Sequence, residues 1–187
     1  MKTALKIGLL FAGLWILCKM IFFYAGMSLD TYKASALINN FFLLCAISIT
    51  LFLFKRKNNY EEVSFLTDVK EAIIGGIAYT VIVALFSQLY YSKIDPSFID
   101  KKIDQRMEIV KQTLASDAEF AKYKENTPSD ELLTREEIYT KVRKSAEATL
   151  NPNVAMVIML LGFIMLTMLY SIIVTFFFRK ILLKGIN

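Results

Sequence analysis

The chain has 187 residues, of which 56% are hydrophobic and 13% aromatic, with a mean hydropathy of +0.47. A soluble domain sits nearer about 45–50% apolar, and here the excess is gathered into long runs, so an ordinary globular protein is excluded. The net charge of +5 comes without a single histidine, which removes histidine-based acid–base catalysis and histidine metal sites from consideration. Much of the basic charge flanks apolar runs, where membrane topology requires it, so no nucleic-acid partner is expected.

The first apolar run covers about 4–28, preceded by Lys2 and Lys6 and interrupted by Lys19. A basic start before an apolar run is also how a signal peptide begins. The length of this run, its internal lysine and the lack of an A-x-A site favour a retained membrane helix. The second run, about 36–54, stops at Lys55-Arg56-Lys57. The short link 29–35 makes the first two runs an antiparallel helical pair. The third run, about 72–91, is approached through Ser64-Phe65-Leu66-Thr67-Asp68. Thr67 or Asp68 is expected to cap it, with Glu71 facing the positive helix end. Its Gly75-Gly76 pair and Ala72-x-x-x-Gly76 spacing permit close helix contact. The fourth run, about 154–178, follows Asn151-Pro152, a cap and a first-turn proline, and ends at Arg179-Lys180. Each run is long enough to cross about 30 Å of hydrocarbon at about 1.5 Å per residue.

The polar segment, about 92–153, opens at Asp95-Pro96. Ile99, Ile103, Met107, Val110 and Leu114 then recur at helical spacing. A break follows at Asn126-Thr127-Pro128. Thr134 and Glu137 fit a capping box, and Ile138, Val142, Ala146 and Leu150 make a second stripe. The expectation is an amphipathic helical hairpin between the third and fourth membrane helices. Asp100, Asp104 and Glu108 share a face, but interleaved lysines and arginines make that face a solvated one rather than a metal site.

Orientation follows from basic residues near the spans. Lys2, Lys6, Lys55, Arg56, Lys57, Lys70, Arg179, Lys180 and Lys184 fall on one side, against Lys33 in the short first loop. The long polar segment carries both signs and is slightly negative overall. Both termini are therefore expected in the cytoplasm and the polar hairpin outside a bacterial cytoplasmic membrane.

Few residues suggest chemistry. Lys19 lies well inside its span, where a charge is costly unless its stem carries the ammonium to the interface or it finds a polar partner. Asn39 and Asn40 on the second run, with Ser87 and Gln88 on the third, fall at a similar depth. With Lys19 they form a possible intramembrane polar site. Tyr90, Tyr91 and Phe22-Phe23-Tyr24 at one side, and Phe176-Phe177-Phe178 at the other, read as interfacial aromatic belts. Thr167, Tyr170, Ser171 and Thr175 give the fourth run a mildly polar face, expected to join helices. Cys18 and Cys45 read as separate thiols. No nucleotide loop, nucleophile elbow or zinc spacing is present, so no catalytic residue and no cofactor is expected.

Several local features coincide with a known layout. They are the Lys6-Ile7-Gly8 start, the basic stop after the second run, and the Ser-Phe-x-x-Asp-x-x-Lys-Glu-Ala approach over 64–72 with its Gly-Gly. The opening Ile94-Asp95-Pro96-Ser97-Phe98-Ile99 and the Asn-Pro before the fourth run complete them. In these the chain resembles the bacterial membrane family catalogued as domain of unknown function 4199. The resemblance implies four membrane helices and a charged helical loop between the third and fourth. It implies no activity, and it carries over no functional residues. The expected protein is thus an all-α integral membrane protein, non-enzymatic, an accessory or scaffold subunit held in the bilayer beside a membrane-protein partner or further copies of itself. The alternative is a small transporter or lipid-handling protein built around Lys19.

Overall fold

The computed structural model describes residues 2–27, 29–61 and 63–181, so Lys184 and the expected end of the first span at Ser28 lie outside the described residues. Among them every regular element is helical: α1 (Lys2–Tyr24), α2 (Tyr32–Lys57), α3 (Phe65–Leu89), α4 (Ser97–Thr113), α5 (Asp117–Asn126), α6 (Arg135–Leu150) and α7 (Pro152–Ile181). A π-helical turn, Tyr90–Ile94, follows α3, and a 3-10 turn, Pro128–Asp130, precedes α6. Four helices are long and apolar enough to cross a membrane: α1, α2, α3 with its π-helical turn, and α7. Internal contacts divide the chain into two compact units, one built from α1, α2, α3 and most of α7, the other from Leu89–Ala155.

In the first unit each helix end has a local cause. α1 stops where Gly26 adopts φ +70°. The Met27 amide then bonds the Phe22 carbonyl at 3.0 Å and the Gly26 amide bonds that of Phe23 at 3.0 Å, a Schellman closure that a residue without Cβ accepts most easily. α2 closes the same way around Asn59, φ 50°, with the Tyr60 amide on the Lys55 carbonyl at 2.9 Å. α3 begins seven residues before the apolar run suggests. The cap is Ser64, whose Oγ accepts from the Thr67 amide at 3.2 Å, and not Thr67 or Asp68. α7 begins at Pro152 as its sequence predicts, with Asn151 Oδ1 accepting from the Asn153 amide at 3.0 Å.

α1 runs alongside α3 in the same direction, since Gly8 meets Gly75 and Trp15 meets Phe86 with ring centroids 6.0 Å apart. α2 and α7 run the other way, their last turns meeting the first turn of α3. The shared core holds Ala12, Trp15, Leu43, Ile47, Leu51, Tyr79 and Val83. Large apolar side chains also cover the outside, among them Leu17, Leu37, Leu85 and Met165, the surface a lipid-solvated bundle presents.

In the second unit α4 and α6 pack through Ile103, Met107 and Ala146, flanked by Ile99, Tyr139, Val142 and Leu150. Of the two stripes read from the sequence, Ile99, Ile103 and Met107 of the first and Val142, Ala146 and Leu150 of the second lie in this contact. The break between them holds a third helix, α5, capped by Ser116, whose side chain accepts from the Glu119 amide. The Thr134–Glu137 capping box is formed in both directions.

Candidate functional site

The five residues expected to share a polar site lie on α1, α2 and α3. Lys19 is only 3% exposed, so its side chain is covered by protein instead of lying on the lipid-facing surface. Asn39 is buried, and its Oδ1 accepts from the Tyr79 hydroxyl at 2.5 Å, while its carbonyl accepts from the same hydroxyl at 2.9 Å. Asn40 turns to α7, its Nδ2 and Oδ1 lying 2.9 and 3.1 Å from the Tyr170 hydroxyl. The two adjacent asparagines thus bind α2 to two different helices. Ser87 is buried and its hydroxyl meets no hydrogen-bond partner. Gln88 is half-buried.

The polar face expected on the fourth span is present and buried. Thr167 Oγ1 lies 3.3 Å from Thr80 Oγ1 on α3. Ser171 and Thr175 are fully buried, with hydroxyls that have no partner. Tyr90 departs from its expected place in an aromatic belt, because it is fully buried with its hydroxyl 3.2 Å from Asp95 Oδ2. Cys18 and Cys45 are free and half-buried.

The feature that sequence reasoning missed lies at the opposite end of the bundle from the Asn39 layer. Asp68, in the first turn of α3, is fully buried. Its Oδ2 accepts from Lys55 Nζ of α2 and from Arg179 Nε of α7, each at 2.9 Å. Arg179 Nη2 also donates to the Val63 carbonyl, and Lys55 Nζ to the Glu61 carbonyl at 3.4 Å. One carboxylate therefore fastens three helices and the α2–α3 link. Two cations on one anion leave the cluster a formal single positive charge, and Asp68 Oδ1 has no hydrogen-bond partner. By sequence, Lys55 and Arg179 are basic stops that also orient their spans, and Asp68 is a candidate cap. The available signal was an acidic residue one turn into α3, on the side where α2 and α7 both end in basic residues.

Next to this cluster the helices approach closely. A Cβ on Gly8 would come within 2.4 Å of the Gly75 carbonyl oxygen, and one on Gly75 within 2.2 Å of Thr50 Oγ1. The expected Ala72-x-x-x-Gly76 contact is present as well, with Ala72 buried and Gly76 seated against Thr167 and Ile47.

The family described as "Protein of unknown function (DUF4199)" matches residues 6–180. The chain belongs to that family. The DUF4199 match spans the ion cluster, the Asn39–Tyr79 and Asn40–Tyr170 bonds and the whole second unit. No curated protein and no solved structure matches the chain.

The second unit of this DUF4199 member contains a polar knot of its own. Asp130, 2% exposed, receives Lys141 Nζ on Oδ1, the Tyr123 hydroxyl on Oδ2 at 2.9 Å and the Ser129 hydroxyl on Oδ1 at 3.1 Å. The Lys141 ammonium, with the Tyr123 hydroxyl, holds the Asp130 carboxyl below its ordinary range. Burial pushes the Tyr123 phenol up, helped by its bond to Asp130. Arg135 pairs with Asp117 at 2.5 Å and lies 4.8 Å from the Phe120 ring centre. These contacts fix the α5–α6 connection.

Proposed function

We propose that this protein is a non-enzymatic membrane subunit that holds or organises another membrane protein, with Leu89–Ala155 as its contact region. The observation that carries this reading is the use of the intramembrane polar groups. Asn39, Asn40, Thr80, Asp68 and Arg179 bond from helix to helix. Such bonds stabilise a bundle against lipid and present no nucleophile–base pair to a substrate. The distribution of basic residues supports both termini in the cytoplasm of a bacterial cell, the ion cluster near the inner face and α4–α6 outside. The mixed charges of α4 and α6 suit a protein partner better than an anionic lipid surface.

A photo-crosslinking residue placed at Ile109 or at Leu132, 63% and 95% exposed, tests the reading in native membranes. A discrete adduct with one other membrane protein is expected from both positions. Adducts with the chain itself would make the assembly a homo-oligomer, and adducts with lipid alone would remove the scaffold reading.

A second reading, transport or lipid handling, draws on Lys19, a lysine 3% exposed within a membrane-length helix. Buried intramembrane charges commonly mark ion or substrate paths. Flux in reconstituted vesicles that Lys19→Met abolishes would favour it over the scaffold.

A further inference from the structure

Where α2 stops and α3 starts, the first unit holds a partly enclosed cavity of about 120 Å³. Its polar border is Thr3 of α1, Lys57 at the end of α2, Asn58 just beyond it and Glu71 of α3. Thr3 and Lys57 are exposed, Asn58 and Glu71 half-buried, so this border is open to the outside of the bundle. Leu53 and Phe54, also half-buried, line the same cavity. They stand roughly 6 Å back along α2 from Lys57 and Asn58. The cavity therefore passes from charged to apolar over one helical turn, beside the ends of two membrane-length helices.

That change suits an amphiphile seated at a bilayer interface, whose head group is charged and whose chains are apolar. The charges narrow the head group. A simple anion drawn to Lys57 would also face Glu71, and a simple cation drawn to Glu71 would also face Lys57, so each attraction is offset by a repulsion. A head group carrying a phosphate and an ammonium on one short linker satisfies both. Lys57 donates to phosphate oxygens, with the Asn58 amide and the Thr3 hydroxyl as further donors. A carboxylate has about four acceptor positions, so Glu71 can take an N–H of the ammonium alongside its other contacts. A primary ammonium has such an N–H to give, and the quaternary ammonium of choline has none.

We propose that this cavity binds a phospholipid with an ethanolamine head group, its phosphate on Lys57 and Asn58, its ammonium on Glu71 and its glycerol end against Leu53 and Phe54. The apolar part of the border favours a lipid of the surrounding bilayer over a free water-soluble zwitterion. The site is independent of the scaffold reading, because it lies within the first unit and takes a lipid rather than a protein.

Native mass spectrometry of the full chain in mild detergent tests the site, with phosphatidylethanolamine, phosphatidylcholine and phosphatidylglycerol of identical acyl chains titrated separately. The ethanolamine lipid is expected to bind roughly tenfold more tightly than either of the others, the effect of one charge-assisted hydrogen bond. Lys57→Gln should weaken its binding, and Glu71→Gln should reduce it to the level of the choline lipid. Lys33→Gln, in the first turn of α2 at the other end of that helix, should leave it unchanged. Tighter binding of the glycerol lipid would make this end a basic surface for anionic lipid and overturn the proposal. So would equal binding of all three lipids, or an ethanolamine preference that survives both cavity substitutions or is lost equally in Lys33→Gln. Displacement of the bound lipid by an equal concentration of free phosphoethanolamine would make the ligand a soluble zwitterion and overturn the lipid assignment. If Glu71→Gln does not fold, Lys57→Gln, at an exposed position, decides alone through the loss or retention of the ethanolamine lipid.

Discussion

Asp68 and Lys55 face each other at 2.9 Å with side chains 0% and 4% exposed, a salt bridge taken almost entirely out of water. Removing one member of such a pair leaves the other charge buried and unpaired, which costs about 3–5 kcal/mol, whereas replacing both by apolar groups of similar size costs far less. Asp68→Leu alone is expected to destabilise the bundle by that amount, since it strands Lys55 and also releases Arg179. Lys55→Met with Asp68→Leu should recover a large part of the loss. Thermal unfolding in a mild detergent, run as a double-mutant cycle, measures the difference. Additive effects of the two substitutions would mean that the pair is not coupled.

The glycines of the first unit separate by what surrounds them. Gly8 has the Gly75 carbonyl at 2.4 Å from where its Cβ would stand, while Gly13, in the same helix, has nothing within 4 Å. Gly8→Ala must push α1 off α3 and is expected to cost about 1–3 kcal/mol. Gly13→Ala should be neutral, or stabilising by up to about 1 kcal/mol through helix propensity. Melting temperatures of the two variants in the same detergent give the comparison. Equal effects would show that the close α1–α3 approach is not maintained.

Acid should act first on the α5–α6 connection. Asp130 has its carboxyl held below the ordinary 3.8 by Lys141 and the Tyr123 hydroxyl, and Glu137 is held below 4.5 by the Thr134 amide and hydroxyl. In both, the folded state binds the proton less readily than the unfolded state. Their stabilisation is therefore complete above about pH 4–5 and is lost as pH falls through the folded values. The protection factors of the 114–137 amides, which compare each exchange rate with the intrinsic rate at the same pH, are expected to fall below that range. Asp130→Asn should lower the protection factors at neutral pH and remove most of their acid dependence.

These residues also show what the sequence alone could convey. The apolar runs specified the four long helices, because backbone groups in lipid have no partner except their own helix. The helical period gave α4 and α6 one apolar face each, but a period alone does not choose between packing on a neighbouring helix and resting on the membrane surface, so the Ile103–Met107–Ala146 contact was not fixed by it. Local chemistry was legible where it depends on neighbours a few residues apart, as in the Thr134–Glu137 box and the Asn151-Pro152 start. Ser64 was passed over as a cap because the apolar run begins well after it, although its spacing to Thr67 was in plain view. The Asp68 cluster draws on residues 55, 68 and 179, and nothing local distinguishes a basic residue that ends a span from one that turns inward. The Asn39–Tyr79 bond likewise needs the rotation of α2 and α3, which a nearly uniform apolar sequence does not fix.

Tyr79 gives a direct measure of those interhelical polar bonds. Its hydroxyl serves both Asn39 Oδ1 and the Asn39 carbonyl, at 2.5 and 2.9 Å, and the ring is fully buried. Tyr79→Phe keeps the ring and removes only the donor. Interhelical hydrogen bonds in membranes average about 0.6 kcal/mol and reach about 1.7, and two acceptors served by one hydroxyl place this bond toward the upper figure. Tyr170→Phe, which removes the bond to Asn40, should cost less, because Asn40 is only half-buried and its amide can find other partners. A larger loss from Tyr170→Phe than from Tyr79→Phe in the same unfolding assay would reverse this order and make the α2–α7 contact the stronger of the two.

Lys19 supplies the most demanding comparison. A lysine 3% exposed inside α1 is covered by protein, and an apolar residue there would serve insertion better. Lys19→Met retains the length and flexibility of the stem and removes the charge. The expected outcome is full insertion and a melting temperature close to that of the wild type, together with a weaker crosslink from Ile109 or Leu132 to the partner. Lys19→Arg, which keeps the charge, should retain more of the crosslink. If Lys19→Met instead inserts, melts and crosslinks like the wild type, Lys19 contributes nothing to partner binding. A fall in melting temperature with the crosslink unchanged would make Lys19 one more polar tie between helices, beside Asn39 and Asp68.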